Sequence, residues 1–155
     1  METARAASAA DLPAVAELLA RAIAEIRQKK GGEAWWRIDA AVDPVAELSA
    51  RLDDPDVVVT VGLIDDEPVG LIVAAVSPTR EPSPIGLIEV VYVDAGARGV
   101  GVGECMLDHA IGVLEARGCD GFDSSALPGD RHTKNFFETF GFTARRLIMH
   151  RRPRG

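Results

Sequence analysis

The chain has 155 residues, 47% of them hydrophobic and 26% charged, which is the composition of an ordinary globular protein sized for one domain over residues 1–155. Its net charge of −7 disfavours nucleic-acid binding, and its longest apolar run, residues 71–76, is too short to cross a membrane. Two cysteines without a CxxC pair and three histidines without ligand spacing predict no disulfide framework and no structural metal, and the N-terminus lacks the apolar stretch of a signal peptide, so the expected location is cytoplasmic.

Leu12, Val15, Leu18, Leu19, Ala22, Ile23 and Ile26 recur at helical spacing. Asp11 stands ready to cap that helix, Pro13 is tolerated in its first turn, and the pattern frays at "KKGG". "EAWWR" then reads as loop. A second helix is predicted over Pro44–Leu52, started by Asp43 and stopped before Pro55. Val57–Ile64 and residues 69–76 are β-branched, apolar runs on either side of "DDEP", which predicts an antiparallel hairpin. A proline-rich loop leads to a third strand, Ile85–Val93. Val102, Met106, Leu107, Ala110, Ile111, Val113 and Leu114 give the next helix a broad apolar face, and Gly118 stops it. "CDGFDSSAL" is expected as a strand, "DRHTKNFFETF" as a helix ending at Gly141, and "FTARRLIMHR" as a final strand. The order predicts an α/β (α+β) domain with a mixed sheet.

Between the third strand and the long helix lies "DAGARGVGVGE". Glycine permits positive φ and close backbone approach, and a helix start offers unpaired N–H groups with the positive end of its dipole. Together these make an anion site, most naturally for phosphate. The dinucleotide fingerprint fails here: counted from Gly101 its sixth position is Met106, and counted from Gly99 it is Glu104. That disfavours a nucleotide-binding oxidoreductase. No Gly-Lys occurs, so the nucleotide P-loop fails too.

"RGVGVG", Arg98 to Gly103, matches the Arg/Gln-x-x-Gly-x-Gly/Ala signature of the GNAT acetyltransferase superfamily, which the chain resembles. "IEVVYVDAGARGVGVGECML" is similar to that family's fourth strand, pyrophosphate loop and following helix. "LPGDRHTKNFFETFGF" is similar to its later acyl-CoA motif, and "SAADLPAVAELLARAI" to its first helix. The resemblance implies a mostly antiparallel sheet of about six or seven strands flanked by about four helices. It also implies acetyl-CoA (coenzyme A) as cofactor, its diphosphate on the N–H groups of Val100, Gly101, Val102, Gly103 and Glu104 in the turn opened by Arg98 and Gly99. The pantetheine would pair with the main chain of Val91 and Val93.

By the same carry-over the reaction is direct acetyl transfer to a primary amine of a small molecule or peptide. Glu89 is the candidate base, an acid inside the apolar run "LIEVVYV", where a charge needs a role or a partner. The alternative is a solvent-facing or ion-paired strand residue. The N–H of Val93 is the candidate donor to the thioester carbonyl. Asp130 stands where the family often has an asparagine near the cofactor arm, or serves as a helix cap; Lys134 and Arg131 are candidates for the nucleotide end. The family's usual general acid, a tyrosine four residues before the Gly-Phe glycine, is Phe137 here. That departure raises a second reading, an acyl-CoA-binding domain without turnover. Trp35 and Trp36, with Glu33 and Asp39, are candidates for the acceptor site. A homodimer is compatible with the resemblance, and no nucleic-acid or membrane partner is expected.

Overall fold

Val57–Ile64 is buried along almost its whole length, as a central strand enclosed on both faces must be. A computed structural model describes residues 1–154 and builds the molecule around this strand, β2. The sheet runs β1 (Glu2–Ala6), β2, β3 (Glu67–Ser77), β4 (Ile85–Val93), β5 (Phe122–Ser124) in spatial order. The first four strands are antiparallel neighbours, and β5 joins β4 in parallel. The β2–β3 turn places Asp65 and Asp66 at φ of 47° and 69°, the left-handed region that aspartate tolerates in tight hairpins.

Five helices cover the sheet. α1 (Leu12–Arg27) and α3 (Pro44–Leu52) close one face, where Val15, Leu18, Leu19 and Leu48 pack on Val59, Val61, Leu71 and Val73. α4 (Val102–Ala116) and α5 (Arg131–Thr139) close the other, where Met106, Leu107, Leu114 and Phe137 pack on Val58, Ile72, Ala74 and Ile88. α2 (Gly32–Ile38) lies between α1 and α3 in the chain and packs on α1. Gly62 and Gly70 are cross-strand partners, and a Cβ on either would come within 2.7 to 2.8 Å of the Met106 side chain. The paired glycines are therefore a notch that seats α4.

Several expectations need correction. The sheet has five strands rather than six or seven, and the helices number five among the described residues. "EAWWR" is helix α2, entered through Gly31 at φ 86°. β1 had no distinct sequence signal. The strand expected over "CDGFDSSAL" shrinks to Phe122–Ser124, and residues 142–151 form no strand. Asp11 precedes α1, but its carboxylate turns back to the Ser8 N–H at 2.7 Å and to Arg5 at 2.7 and 3.0 Å.

Candidate active site

β4 carries the centre of the site. Val73 faces Val90 but Ala74 faces Ile88, so Glu89 is the extra residue of a bulge. The bulge flips the side-chain parity. Ile88 packs toward α4, whereas Val90 and Tyr92, at even spacing from it, pack toward α1. Glu89 is left on the wall of a cleft, where Arg51 Nη2 from the last turn of α3 meets its Oε2.

Beyond Ile88 the sheet splits. β5 pairs with Gly86, Leu87 and Ile88 only, and the chain then leaves β4 through Ser125, Ala126 and Leu127. The Asp94 N–H returns to the Val69 carbonyl on β3 at 2.8 Å. By strand alternation, the N–H groups of Val93 and Val91 point the other way, to the open side of the split. The cleft holds about 430 Å³ and is closed by Ile26 of α1, Trp35 of α2, Phe136 of α5 and Phe140 just after it.

The glycine turn forms one end of this cleft. Gly99 and Gly101 stand at φ 84° and 97°, and Gly101 is the residue before α4. The first intrahelical bond runs from the Cys105 N–H to the Gly101 carbonyl at 3.1 Å, so the N–H groups of Val102, Gly103 and Glu104 have no acceptor within the helix. Open donors, a dipole end and backbone without side chains fit a diphosphate. Gly103 has a second reason to be glycine: a Cβ there would stand 3.0 Å from Phe136 Cε1 on α5.

Of the residues named from sequence, the cleft brings together Glu89, Val91, Val93, Arg98, Gly99, Gly101, Val102, Gly103, Glu104, Asp130 and Trp35. Arg98 is tied to neighbouring groups. Its Nη2 donates to Glu25 at 2.7 Å and its Nε to the Val93 carbonyl at 2.8 Å, and hydrogen bonding to Glu25 raises its pKa further above the ordinary guanidinium value. Asp130 caps α5, accepting from the Thr133 N–H at 3.2 Å and its hydroxyl at 2.8 Å. The remaining candidates lie off the cleft. Val100 is exposed beside the turn. Glu33 pairs with Arg27 at 2.8 Å, which holds its carboxyl below the usual range, and the same guanidinium stacks 3.5 Å from the Trp36 ring. Lys134 is tied to Glu138 at 2.8 Å on the outer face of α5. Phe137 is only 4% exposed and packs edge-on against Phe136 and Phe142. Arg51 and Glu25 carried no sequence signal for the site, since nothing local ties them to the glycine turn. No helix is long and apolar enough to cross a membrane among the described residues.

The acetyltransferase (GNAT) family model matches residues 32–142. A mycothiol acetyltransferase of Beutenbergia cavernae is 32% identical over 81 residues, covering 52% of this chain and 27% of that relative, so the chain spans about a quarter of its length. Among solved structures, a tetramutant of the BH1408 protein from Bacillus halodurans superposes with a TM-score of 0.82 at 18% identity, over 97% of this chain and 99% of that one. Aminoglycoside N-acetyltransferase AAC(6')-Iy, solved in complex with CoA, gives 0.78 at 15% identity, over 100% and 96%. Those two carry the fold. With the family match running from α2 through the glycine turn to Phe142, this chain belongs to the GNAT acetyltransferase family.

Proposed function

We propose that this chain transfers an acetyl group from acetyl-CoA directly to a primary amine of a small molecule or peptide. The observation that carries the reading is the split between β4 and β5. It sets outward N–H groups of Val91 and Val93, the open donors before Cys105 and the Glu89 carboxylate around one cleft. Acetyl-CoA, when bound, supplies an activated thioester. The N–H groups of Val102, Gly103 and Glu104 hold its diphosphate, and the main chain of Val91 and Val93 orients its arm as an added strand.

A lysine-like amine has a pKa of about 10.4, so near neutral pH only about 1 in 2,500 is unprotonated. Glu89 takes that proton, directly or through water, and the Val93 N–H donates to the carbonyl oxygen as it gains charge. The new N–C bond forms as the C–S bond breaks, and the thiolate leaves with a proton drawn from solvent. No tyrosine at position 137 is available for that last step.

Calorimetric titration with coenzyme A and a thiol-release screen with acetyl-CoA against polyamines, aminoglycosides, amino acids and peptides test this reading. The expected result is binding on the order of micromolar and thiol release with at least one amine. Absence of binding at millimolar ligand sinks the cofactor assignment. Binding without release from any amine favours the domain that holds acyl-CoA without turnover, the reading that Phe137 raises.

A further inference from the structure

We infer that Glu25, in the last turn of α1, is a positioning residue for the cofactor arm, acting through Arg98 on the end of β4. The inference rests on the acetyl-CoA reading and adds to it what keeps the last residue of β4 fit to receive a thioester. It starts from one peptide plane. The Asp94 N–H returns to the Val69 carbonyl on β3 at 2.8 Å, and the peptide between Val93 and Asp94 is trans. The Val93 carbonyl, on the other side of that plane, therefore points away from β3. It shares the open side of the split with the Val93 N–H.

Those two groups act oppositely on a thioester. The N–H suits its carbonyl oxygen, which gains negative charge as the amine attacks. A bare carbonyl beside it would repel that charge and would offer the arm a competing place to pair. Arg98 removes the competition, because its Nε donates to the Val93 carbonyl at 2.8 Å. The last residue of β4 then shows the ligand a donor whose neighbouring acceptor is already taken.

Arg98 has to be held for this. It stands at the mouth of the glycine turn, and its side chain is 30% exposed. A released guanidinium there would be drawn to a diphosphate on the N–H groups of Val102, Gly103 and Glu104. Glu25 prevents that movement. Its Oε2 accepts from Arg98 Nη2 at 2.7 Å, so one planar fork is tied to β4 and to α1 at once. Asp94, closer in the chain, does not replace it, since it accepts from Arg21 Nη1 at 2.9 Å. Among the described residues Glu25 is the one carboxylate in an ion pair with Arg98. The pair is too exposed to contribute much to folding, so positioning is the role that its geometry serves.

Glu25→Gln tests the inference in three readouts. Without ligand, the Arg98 Nε–H should exchange with solvent faster than in wild type, as read by nuclear magnetic resonance. In calorimetry, coenzyme A should bind the variant at least as tightly as wild type, but with a steeper loss in salt, because the freed guanidinium reaches the diphosphate. With an amine that wild type acetylates, kcat should fall about tenfold or more while the KM for acetyl-CoA does not rise. Arg98→Gln keeps a donor for the carbonyl and leaves no charge to restrain, so Glu25→Gln should add little loss in that background. Equal losses in both backgrounds overturn the inference. So does a Glu25→Gln variant that matches wild type in exchange, binding and rate. Weaker coenzyme A binding in Glu25→Gln also overturns it, because the pair would then be a structural support of the turn. Where wild type binds coenzyme A without turnover, exchange and salt dependence decide alone. A wild type that binds no coenzyme A is a separate failure, which removes the cofactor reading and the positioning role with it.

Discussion

Arg51, on the last turn of α3, meets the carboxylate of Glu89 where the bulge pushes that residue out of the β3–β4 ladder. The candidate base is therefore held by a cation from a helix 38 positions earlier in the chain. The pair is half-exposed, 24% at Arg51 and 39% at Glu89, so it contributes about 0–1 kcal/mol to stability. Its consequence is orientation. Glu89→Gln should cut thiol release with an active amine by about 100-fold or more, with acetyl-CoA affinity changed less than about twofold. Arg51→Gln should also slow release, but add little further loss in the Glu89→Gln background. Independent, additive losses would mean that Arg51 does not act through Glu89.

Gly101→Ala isolates the backbone requirement of the turn. A Cβ at Gly101 meets nothing within 4 Å, so its cost is conformational, about 1–2 kcal/mol for a residue held at φ 97°. Thermal unfolding should show that loss, and calorimetry a weaker affinity for coenzyme A because the N–H groups of Val102 to Glu104 shift. Gly112→Ala is the control. It too meets nothing within 4 Å but lies inside α4 at helical φ, so it should be neutral or stabilising.

Gly62→Ala probes the seat of α4. The added Cβ would fall 2.7 Å from Met106 Sδ and 2.7 Å from Val102 Cγ1, which overpacks the core by about 1–3 kcal/mol. Met106→Ala alone removes a fully buried side chain and should cost about 2–5 kcal/mol. The combination should be less destabilising than the two losses added, since each change relieves the other. Additive losses in denaturant unfolding would show that the notch and Met106 do not share one volume.

These contrasts show what the sequence carried and what it did not. Pro44–Leu52, Val57–Ile64 and Ile85–Val93 were legible to the residue, because apolar periodicity and a cap or turn agree at their ends. β1 is "ETARA", short and alanine-rich, and becomes a strand only through pairing with β2. α2 is a seven-residue helix whose start depends on Gly31 at positive φ, so no periodic signal could build. In the site, the turn was legible because glycines declare backbone geometry locally. The Arg51–Glu89 and Arg98–Glu25 pairs join elements distant in sequence, and only the packed helices bring them together. Residues 142–151 have a strand's pattern but pair with no strand among the described residues.

Acid should weaken the first connection of the fold. Arg5, donating to Asp11, holds that carboxyl at about 2 against an ordinary 3.8. A lowered folded-state pKa means the contribution is complete above about pH 4 and is lost as the pH falls toward about 2. With Arg5 half-exposed, the contribution is about 1–2 kcal/mol. Asp11→Ala should therefore lower stability by that amount near neutral pH, and the difference from wild type should close across the same acid window. A difference that does not shrink with pH would assign the loss to the Ser8 turn rather than to charge.

Phe137→Tyr restores the residue that the family resemblance leads one to expect, and should not help. The ring is 4% exposed, with centroids 5.3 Å from Phe136 and 5.0 Å from Phe142 in edge-on contacts, and it is not part of the cleft wall. A hydroxyl added there enters an apolar cluster without a partner, at a cost of about 1–3 kcal/mol. The variant should unfold at lower temperature, bind coenzyme A as before and release thiol no faster than wild type. The rate is the decisive measurement. A substantial rise in kcat at unchanged acetyl-CoA affinity would place the new hydroxyl in the cleft, and would mean that the ring leaves its packed position during turnover. No rise leaves solvent as the proton source for the departing thiolate, consistent with a cleft lined by Phe136 of α5 and by Phe140 just after it, and not by Phe137.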